Sequence, residues 1–171
     1  AMPLWAMQKM ANDYAEAAKL AVKVGFDMIM LHFGHGTFLG QFLSPWSNQR
    51  TDEFGGSLEN RARFPLMICE EIKRQCGKDF LVEISISGRE DDLFESGLTV
   101  EDQIEFAKLA RGKADILQVR GGSIDPSQPT YLDPREIPQL PAAAAIRRGV
   151  QDAGGGILIN VVGGCQELGR C

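Results

Sequence analysis

The sequence predicts an α/β protein built on a parallel sheet of about four strands. Segments with helical periodicity alternate with short β-rich segments along the 171 residues, in the order helix, strand, repeated four times. Parallel neighbours must be joined by a crossover, so strands that alternate with helices of this length indicate a parallel sheet. The strands are apolar with little alternation, as expected where both faces are covered. Two architectures fit: an open doubly wound sheet, and part of a closed (β/α)8 TIM barrel.

The first helix is predicted from Asn12 to Val24, and a buried strand follows from Phe26 to Leu31. Asn12 can cap the start of the helix, and Gly25 suits the left-handed conformation that ends it. A long polar, glycine-rich stretch then runs from His32 to about Ser57. Apolar residues at helical spacing predict the buried stripe of this helix: Tyr14, Ala17, Ala18, Ala21 and Val22.

The second helix is predicted from Leu58 to about Cys76, with Ser57 as its cap and Gly77 beyond its end. Pro65 interrupts this segment. Because proline lacks the amide donor and clashes with the preceding turn, a kink or two shorter helices are expected there. The second strand is predicted from Phe80 to Ile86.

The third helix is predicted to begin at Thr99, where Asp102 stands three residues on in a capping-box arrangement. Its end is expected near Gly112, and the third strand runs from Ala114 to Val119. The fourth helix is predicted to start at Pro141, because proline is well tolerated in a first helical turn, and to reach about Asp152.

The fourth strand, Ile157 to Val162, leads directly into Gly163 and Gly164. Polar and glycine-rich residues follow every predicted strand, at 32–36, 85–89, 120–123 and 163–164. The site of a parallel α/β fold lies at the carboxyl ends of its strands, so this edge is the predicted site. No GxGxxG or GxxxxGK[ST] phosphate loop, which would favour a doubly wound sheet, follows a strand.

Composition excludes several classes of protein. The chain is 44% hydrophobic, so a packed core is expected, and its net charge of -5 without a basic patch argues against nucleic acid as a partner. No apolar run reaches the roughly 18 residues of a membrane helix, and the first residues lack the basic region of a signal peptide. The four cysteines form no CxxC pair and are interpreted as free thiols in a reducing cytoplasm: Cys69, Cys76, Cys165 and Cys171.

The two histidines of the chain, His32 and His35, lie three residues apart where the first predicted strand ends. Neutral imidazole is a compact donor that can hold a developing oxyanion. Two such donors at one carbonyl oxygen would polarise a conjugated C=C bond for hydride attack. The alternative is one structural and one exposed histidine. A metal site is a weaker hypothesis, because spacing fixes no acidic third ligand nearby, and no metal is predicted.

The segment that begins at the histidines carries a long motif: HFGHG at 32–36, QFLSP at 41–45 and NQRTDEFGGSLENR at 48–61. This combination resembles the signature of the Old Yellow Enzyme family, the NADH:flavin oxidoreductases that include 2,4-dienoyl-CoA reductases. The resemblance extends over nearly the whole chain. It implies a (β/α)8 barrel that binds FMN at the carboxyl face of its strands. It also implies hydride transfer from NAD(P)H through FMN to an activated alkene.

The resemblance assigns roles residue by residue. His32 and His35 match the pair that hydrogen-bonds the substrate oxygen. Gly163 and Gly164 match the backbone that approaches the FMN phosphate after the seventh barrel strand, where glycine permits close approach. The run from Arg50 to Arg61 is interpreted as mainly structural, a long loop and helix start braced by arginine–carboxylate pairs.

Two positions depart from the family pattern. Thr37 stands where the family usually has a tyrosine that donates a proton to the substrate, and a threonine hydroxyl is too short and too weakly acidic to replace a phenol directly. Another group or water would then donate the proton. Ser85 stands where the family usually has an arginine that faces the flavin pyrimidine. Arg89 and Arg120 are the two candidates for the missing charge.

Aligned with the family, residues 1–171 form a single partial barrel domain with the fourth to seventh strands, without the first three and the eighth. Alone, this piece is expected to be inactive, to bind FMN weakly and to associate through its open sheet edges. The predicted substrate is a small enone or enoyl thioester, and an iron–sulfur cluster is possible only outside this segment. Two alternatives stay open: an inactive half-barrel or interaction module, and a different barrel lyase. The four predicted strands contain no lysine, which argues against a lyase that forms a Schiff base.

Overall fold

The computed structural model describes residues 2–91, 95–121 and 139–163. Helices and strands alternate along these residues, and a short extra helix follows the first strand. In chain order, the described elements are α1 (Leu4–Lys23), β1 (Met28–His32), α2 (Phe38–Leu43), α3 (Leu58–Cys76), β2 (Leu81–Ser87), α4 (Val100–Ala110), β3 (Ile116–Arg120), α5 (Leu140–Asp152) and β4 (Leu158–Val162).

The four strands of the described residues form one sheet in the order β1-β2-β3-β4, and each neighbouring pair is parallel. The predicted parallel α/β sheet is therefore confirmed. Strand order follows chain order throughout, whereas a doubly wound sheet reverses its order at a switch point. Sequential order is that of a (β/α)8 barrel, and the described residues supply four of its eight strands.

The sheet has two different faces, most clearly in β2. Apolar side chains stand at every second position of this strand and belong to the core beneath the helices, and polar side chains stand between them. The expectation of little alternation is wrong, because the second face carries groups that hydrogen-bond to one another across the sheet. The apolar set is Val82, Ile84 and Ile86, and the polar set is Glu83, Ser85 and Ser87.

The polar face of the sheet also carries exposed apolar side chains near the amino ends of the strands. Met30 is paired in register with Glu83 and is 44% exposed, and Leu158 of β4 is 70% exposed. Met28 and its register partner Leu81 are exposed as well. On the opposite face, pairs of helices pack together, α1 against α3 and α4 against α5. The core therefore lies between the sheet and the helices.

The first helix is longer than predicted. It begins at Leu4, after an extended Pro3, and Asn12 lies exposed in its interior rather than at its cap. Its buried stripe begins one turn before the predicted helix, so a boundary inferred from Asn12 came too late. The residues that bury against the core are Met7, Ala11, Ala15 and Ala18, whereas Ala17 and Val22 are exposed.

Pro65 lies within a single helix, so the alternative of two shorter helices is wrong. Losing one backbone bond there costs about 3 kcal/mol, and the apolar residues that α3 buries on either side offset that loss. The predicted ends are confirmed: the Ser57 hydroxyl accepts a hydrogen bond from the amide of Asn60, and Gly77 follows with φ 90°. The short helix α2 was not predicted and lies in the supposed polar stretch.

The remaining predicted elements agree with the structure to within two residues at each end. Thr99 and Asp102 form the predicted capping box at the start of α4. β1, β2 and β3 each extend one residue beyond the predicted end, so His32 and Arg120 are the last residues of strands rather than loop residues. Cys69 and Cys76 are free thiols, as predicted, and burial raises the pKa of Cys69 to about 12. Cys165 and Cys171 lie outside the described residues.

Candidate active site at the carboxyl ends of the strands

One row of polar side chains crosses the described sheet close to its carboxyl edge. His32 of β1 is paired in register with Ser85 of β2, Ser85 with Gln118 of β3, and Gln118 with Asn160 of β4. Residues in one register row of a parallel sheet point to the same face. The row therefore brings a predicted catalytic residue, His32, beside a predicted cofactor residue, Ser85.

His32 ends β1 and is partly buried. Its Nδ1 atom lies 3.4 Å from the backbone nitrogen of Gly34, which donates to it. Burial lowers the pKa of His32 below 6.5, a hydrogen bond to the backbone of Ser85 opposes this shift, and the charges of His35 and Arg120 lower the pKa further. At neutral pH, His32 is therefore a neutral imidazole, which carries one ring N–H group.

His35 is held in place by two hydrogen bonds. Its backbone nitrogen donates to the Ser87 hydroxyl at 3.1 Å, and its ring Nε2 lies 3.0 Å from the carbonyl oxygen of Gly121. The residue adopts φ 54°, a left-handed conformation that is uncommon outside glycine. Its ring is perpendicular to that of His32, with 5.2 Å between the centroids. The structure thus brings the two histidines together but gives them different partners.

Gly34 allows the loop after β1 to approach β2. A Cβ atom at this position would lie 2.8 Å from the backbone nitrogen of Ser87 and 3.1 Å from the carbonyl carbon of Ile86. Such contacts are with backbone atoms, which cannot move aside as a flexible side chain can. Glycine between the two histidines therefore holds the loop against the next strand, where His35 reaches the Ser87 hydroxyl.

Thr37 was predicted as a catalytic residue, but its hydroxyl is hydrogen-bonded within the loop. The Oγ1 hydroxyl donates to two carbonyl oxygens, which lie 2.7 Å away in His32 and 2.9 Å away in Gly34. Thr37 occupies the cap position of α2, but its side chain does not cap the helix. Its observed interactions fix the shape of the turn that carries the two histidines.

The two arginine candidates differ clearly. Arg89 is exposed and forms a two-pronged pair with Asp91, with distances of 2.8 and 2.7 Å. Arg120 is the last residue of β3, stands in register with Ser87, and is close enough to lower the pKa of His32. Within the described part of the chain, no hydrogen bond or ion pair of the Arg120 guanidinium is found. Of the two, Arg120 lies on the side of the sheet that carries the polar row.

Gly163 follows β4 with φ 98° at the same edge of the sheet. A Cβ atom there would lie 3.3 Å from the side-chain nitrogen of Gln139. That nitrogen donates to the carbonyl oxygens of Val162 at 2.8 Å and Gly163 at 2.6 Å, so the start of α5 holds the turn after β4. Gly164, the other predicted phosphate-site residue, lies outside the described residues.

Three polar residues of the site were not predicted: Glu83, Gln118 and Asn160. Glu83 is 5% exposed, and its side-chain oxygen accepts hydrogen bonds from Gln118 and Asn160. A signal for them exists in the sequence. Polar residues recur at a spacing of two in the predicted strands, at Glu83 and Ser85 and again at Gln118 and Arg120. That spacing marks one face of a strand.

The loop from 44 to 57 is braced mostly by bonds to backbone atoms. The side-chain nitrogen of Asn48 donates to the carbonyl oxygens of Phe42 and Phe54. The buried guanidinium of Arg61 donates to the carbonyl oxygens of Leu43, at 2.7 Å, and Gly56. Together with the pair between Arg50 and Asp52, these bonds support the structural interpretation of the motif.

The described residues also bear on metal binding and on membrane insertion. No group of three or more His, Cys, Asp or Glu side chains is arranged there to hold a metal ion. No helix in the same ranges combines the length and the apolar character that crossing a bilayer requires.

Comparison with known proteins gives consistent matches. The model of the NADH:flavin oxidoreductase / NADH oxidase family matches residues 2–134. An NADH:flavin oxidoreductase of Gibberella zeae is 34% identical over 167 residues, which are 92% of this chain and 40% of that protein. A multifunctional alkene reductase/demethylase of Caballeronia cordobensis is 35% identical over 84% of this chain and 22% of its own length.

Among solved structures, that of 2-naphthoyl-CoA reductase with 2-naphthoyl-CoA superposes with a TM-score of 0.78 and 27% identity, over 94% of this chain and 24% of that one. The chain therefore spans less than half the length of these three proteins. Similarity of this extent covers the strands, the histidine loop and the motif at 48–61 together.

Proposed function

The chain belongs to the NADH:flavin oxidoreductase / NADH oxidase family, and we propose that it forms the substrate-activating side of an FMN-dependent ene-reductase. The reaction is hydride transfer from NAD(P)H through FMN to an activated C=C bond. One observation carries the proposal: His32, a neutral imidazole, lies at the carboxyl edge of parallel strands beside Ser85 and Arg120.

The residues of this chain fit a flavin at that edge. Bound FMN would supply the hydride-transfer chemistry. Gly163 offers a positive-φ turn beside Gln139, where a side chain would crowd the close approach of an anionic group. Arg120 offers a cation without a partner among the described residues, and Ser85 offers a buried hydroxyl in the row next to His32.

His32 acts as the group that holds the substrate oxygen. A neutral imidazole donates a hydrogen bond from its N–H group to a carbonyl oxygen and stabilises the negative charge that develops there, without having to be protonated first. His35 keeps the loop against the ends of β2 and β3 through Ser87 and Gly121. Thr37 shapes the turn, because its hydroxyl is directed at backbone oxygens. The proton that completes alkene reduction then comes from water.

The substrate class follows from this chemistry. A donor at one oxygen activates an alkene only if the C=C bond is conjugated to a carbonyl, as in an enone or an enoyl thioester. The similarity to an alkene reductase and to a reductase bound to a CoA thioester supports the broader class of small activated substrates. We propose a cytoplasmic location, on the basis of the free thiols of Cys69 and Cys76 in the described part of the chain.

Residues 1–171 are proposed to act as a single partial-barrel domain, equivalent to strands four to seven of the family barrel. Further strands would then pair with the edges of β1 and β4, and without them these edges would associate with other chains. An iron–sulfur cluster would belong to residues outside this segment.

The test is flavin binding and reduction in the complete polypeptide that contains this chain. We expect a yellow protein whose visible band bleaches when NAD(P)H is added without oxygen and returns when an enone is added. The matched variant His32→Ala should still bleach with NAD(P)H but should return slowly with the enone. Absence of bound flavin would overturn the proposal in favour of an inactive barrel half or interaction module, for which the serine at position 85 and the bound hydroxyl of Thr37 argue.

A further inference from the structure

A chain of hydrogen bonds crosses β2, β3 and β4 below the proposed cofactor position. The side-chain nitrogens of Asn160 and Gln118 both donate to one oxygen of Glu83, at 3.3 and 3.1 Å. At the other end of Gln118, its side-chain oxygen accepts from the Ser85 hydroxyl at 3.2 Å. Glu83 is 5% exposed and Ser85 is fully buried, so water competes little for these two groups, whereas Gln118 is half-buried and Asn160 is exposed.

The direction of this chain follows from the chemistry of its groups. An amide NH2 group only donates hydrogen bonds, and that of Gln118 donates to the side-chain oxygen of Glu83, so the NH2 end of the amide faces this residue. The carbonyl end of Gln118 must then face Ser85, and a carbonyl oxygen also only accepts. The single proton of the Ser85 hydroxyl is therefore directed at Gln118, and its lone pairs point to whatever else lies beside it.

We propose that Glu83 is a positioning residue that makes Ser85 a hydrogen-bond acceptor toward the flavin. This inference rests on the proposed function, since it assumes FMN beside Ser85. The pyrimidine edge of a flavin offers carbonyl oxygens and an N–H group. A hydroxyl whose proton is already used can bind only the N–H group. Ser85 thus supplies an acceptor in the register row of His32, and Arg120 is left to supply the positive charge.

Glu83→Gln is the informative substitution because glutamine has the same shape as glutamate but no longer requires the NH2 end of the Gln118 amide to face it. A glutamine at position 83 can donate or accept, so the Gln118 amide could turn over and free the Ser85 proton. Asn160→Ala is the matched control. It removes the other donor to Glu83 but leaves the path from Glu83 through Gln118 to Ser85 intact.

The first measurement needs no flavin. In the NMR spectrum of the complete polypeptide, the Gln118 side-chain amide should show one proton shifted downfield by the carboxylate and protected from exchange. We expect Glu83→Gln to abolish this signature and Asn160→Ala to retain it. A Gln118 amide signal that is unaffected by Glu83→Gln would overturn the directional chain.

The second measurement is a double-mutant cycle on the Kd for FMN, followed by the visible flavin band. Ser85→Ala should weaken binding about three- to tenfold, as expected for one hydrogen bond. Glu83→Gln should weaken it in the wild-type background but have no further effect in the Ser85→Ala background. If the two substitutions had additive effects on the Kd for FMN, the positioning role of Glu83 would be contradicted, but the proposed function would not. If the unaltered protein binds no FMN, the proposed function itself fails, and the NMR result still decides the direction of the chain.

Discussion

The ring Nε2 of His35 lies 3.0 Å from the carbonyl oxygen of Gly121, which directly follows β3. Because a carbonyl oxygen only accepts, this contact requires a proton on Nε2 and directs it at the backbone. His35 therefore connects the loop after β1 to the end of β3, two strands away. The ring of His32 has other partners: its Nδ1 atom lies 3.4 Å from the backbone nitrogen of Gly34, and the ring also hydrogen-bonds to the backbone of Ser85. Two histidines that a motif treats as equivalent donors have different surroundings.

The first prediction separates the two histidines. His32→Ala should lower kcat/KM for enone reduction by about 10²–10³, the typical loss of one oxyanion donor, without weakening FMN binding. His35→Ala should have a smaller effect on the rate. It should instead lower the free energy of unfolding by about 1 kcal/mol, because it removes a hydrogen bond to Gly121. Steady-state kinetics and urea denaturation of both variants measure the two effects, and equal rate losses at normal stability would contradict the asymmetry.

A second prediction concerns pH. Burial lowers the pKa of His32 in the folded protein below its usual value of about 6.5. Between these two pKa values the unfolded chain binds more protons than the folded one, so stability decreases as pH falls below about 6.5 and levels off below the folded-state pKa. Above about 6.5 this contribution is fully present.

The measurement is the free energy of unfolding of the protein and of His32→Gln between pH 7.5 and pH 5. The difference between the two proteins should shift in favour of the variant as pH falls, since glutamine does not titrate. His35→Gln serves as the comparison. A difference that is independent of pH for His32→Gln would show that His32 is not held neutral by burial.

A third prediction tests the close approach of the histidine loop to β2. Gly34→Ala should lower stability by about 1–3 kcal/mol, because the new methyl group would lie 2.8 Å from a backbone nitrogen of Ser87. It should also lower the rate of enone reduction by displacing the loop. Gly77→Ala is the control: nothing lies within 4 Å of its Cβ position, but its φ is 90°, so it should cost about 1 kcal/mol without affecting the rate. If Gly34→Ala and Gly77→Ala had the same effects on stability and on the rate of enone reduction, this role of Gly34 would be contradicted.

Much of the fold was predictable because its signals are local. The caps at Ser57 and Thr99 and the glycine beyond α3 each depend on a few neighbouring residues. Asn12 resembles a cap and suggests too late a start for α1, which packs against α3 and already buries Met7 and Ala11 before that residue. Local cues cannot reveal that packing.

Within the site, the sequence predicted which residues gather at one edge but not how they are bonded. His32, Ser85 and Arg120 were identified from the motif and from strand ends. The tie between His35 and Gly121 spans 86 residues along the chain, and that between Glu83 and Asn160 spans 77. Such pairs depend on the register of the sheet, which no single segment encodes.

The last prediction assigns the positive charge beside the flavin to Arg120 rather than Arg89. Arg120→Gln should weaken FMN binding about tenfold or more, as expected for a charge-assisted hydrogen bond, and should make the flavin harder to reduce. The reason is that reduction leaves negative charge on the flavin, which a nearby guanidinium stabilises. Flavin titration gives the Kd, and anaerobic titration against a dye of known potential gives the ease of reduction.

Arg89→Gln is the matched control, since it removes the same charge from the next strand end. Arg89 is exposed and its guanidinium is paired with Asp91, so its loss should change the Kd for FMN by less than about twofold. Lysine at position 120 keeps the charge but not the planar fork and should restore the ease of reduction more fully than the affinity. If Arg89→Gln had the larger effect, the charge would act from beyond β2, and the polar row would not define the flavin side of the sheet.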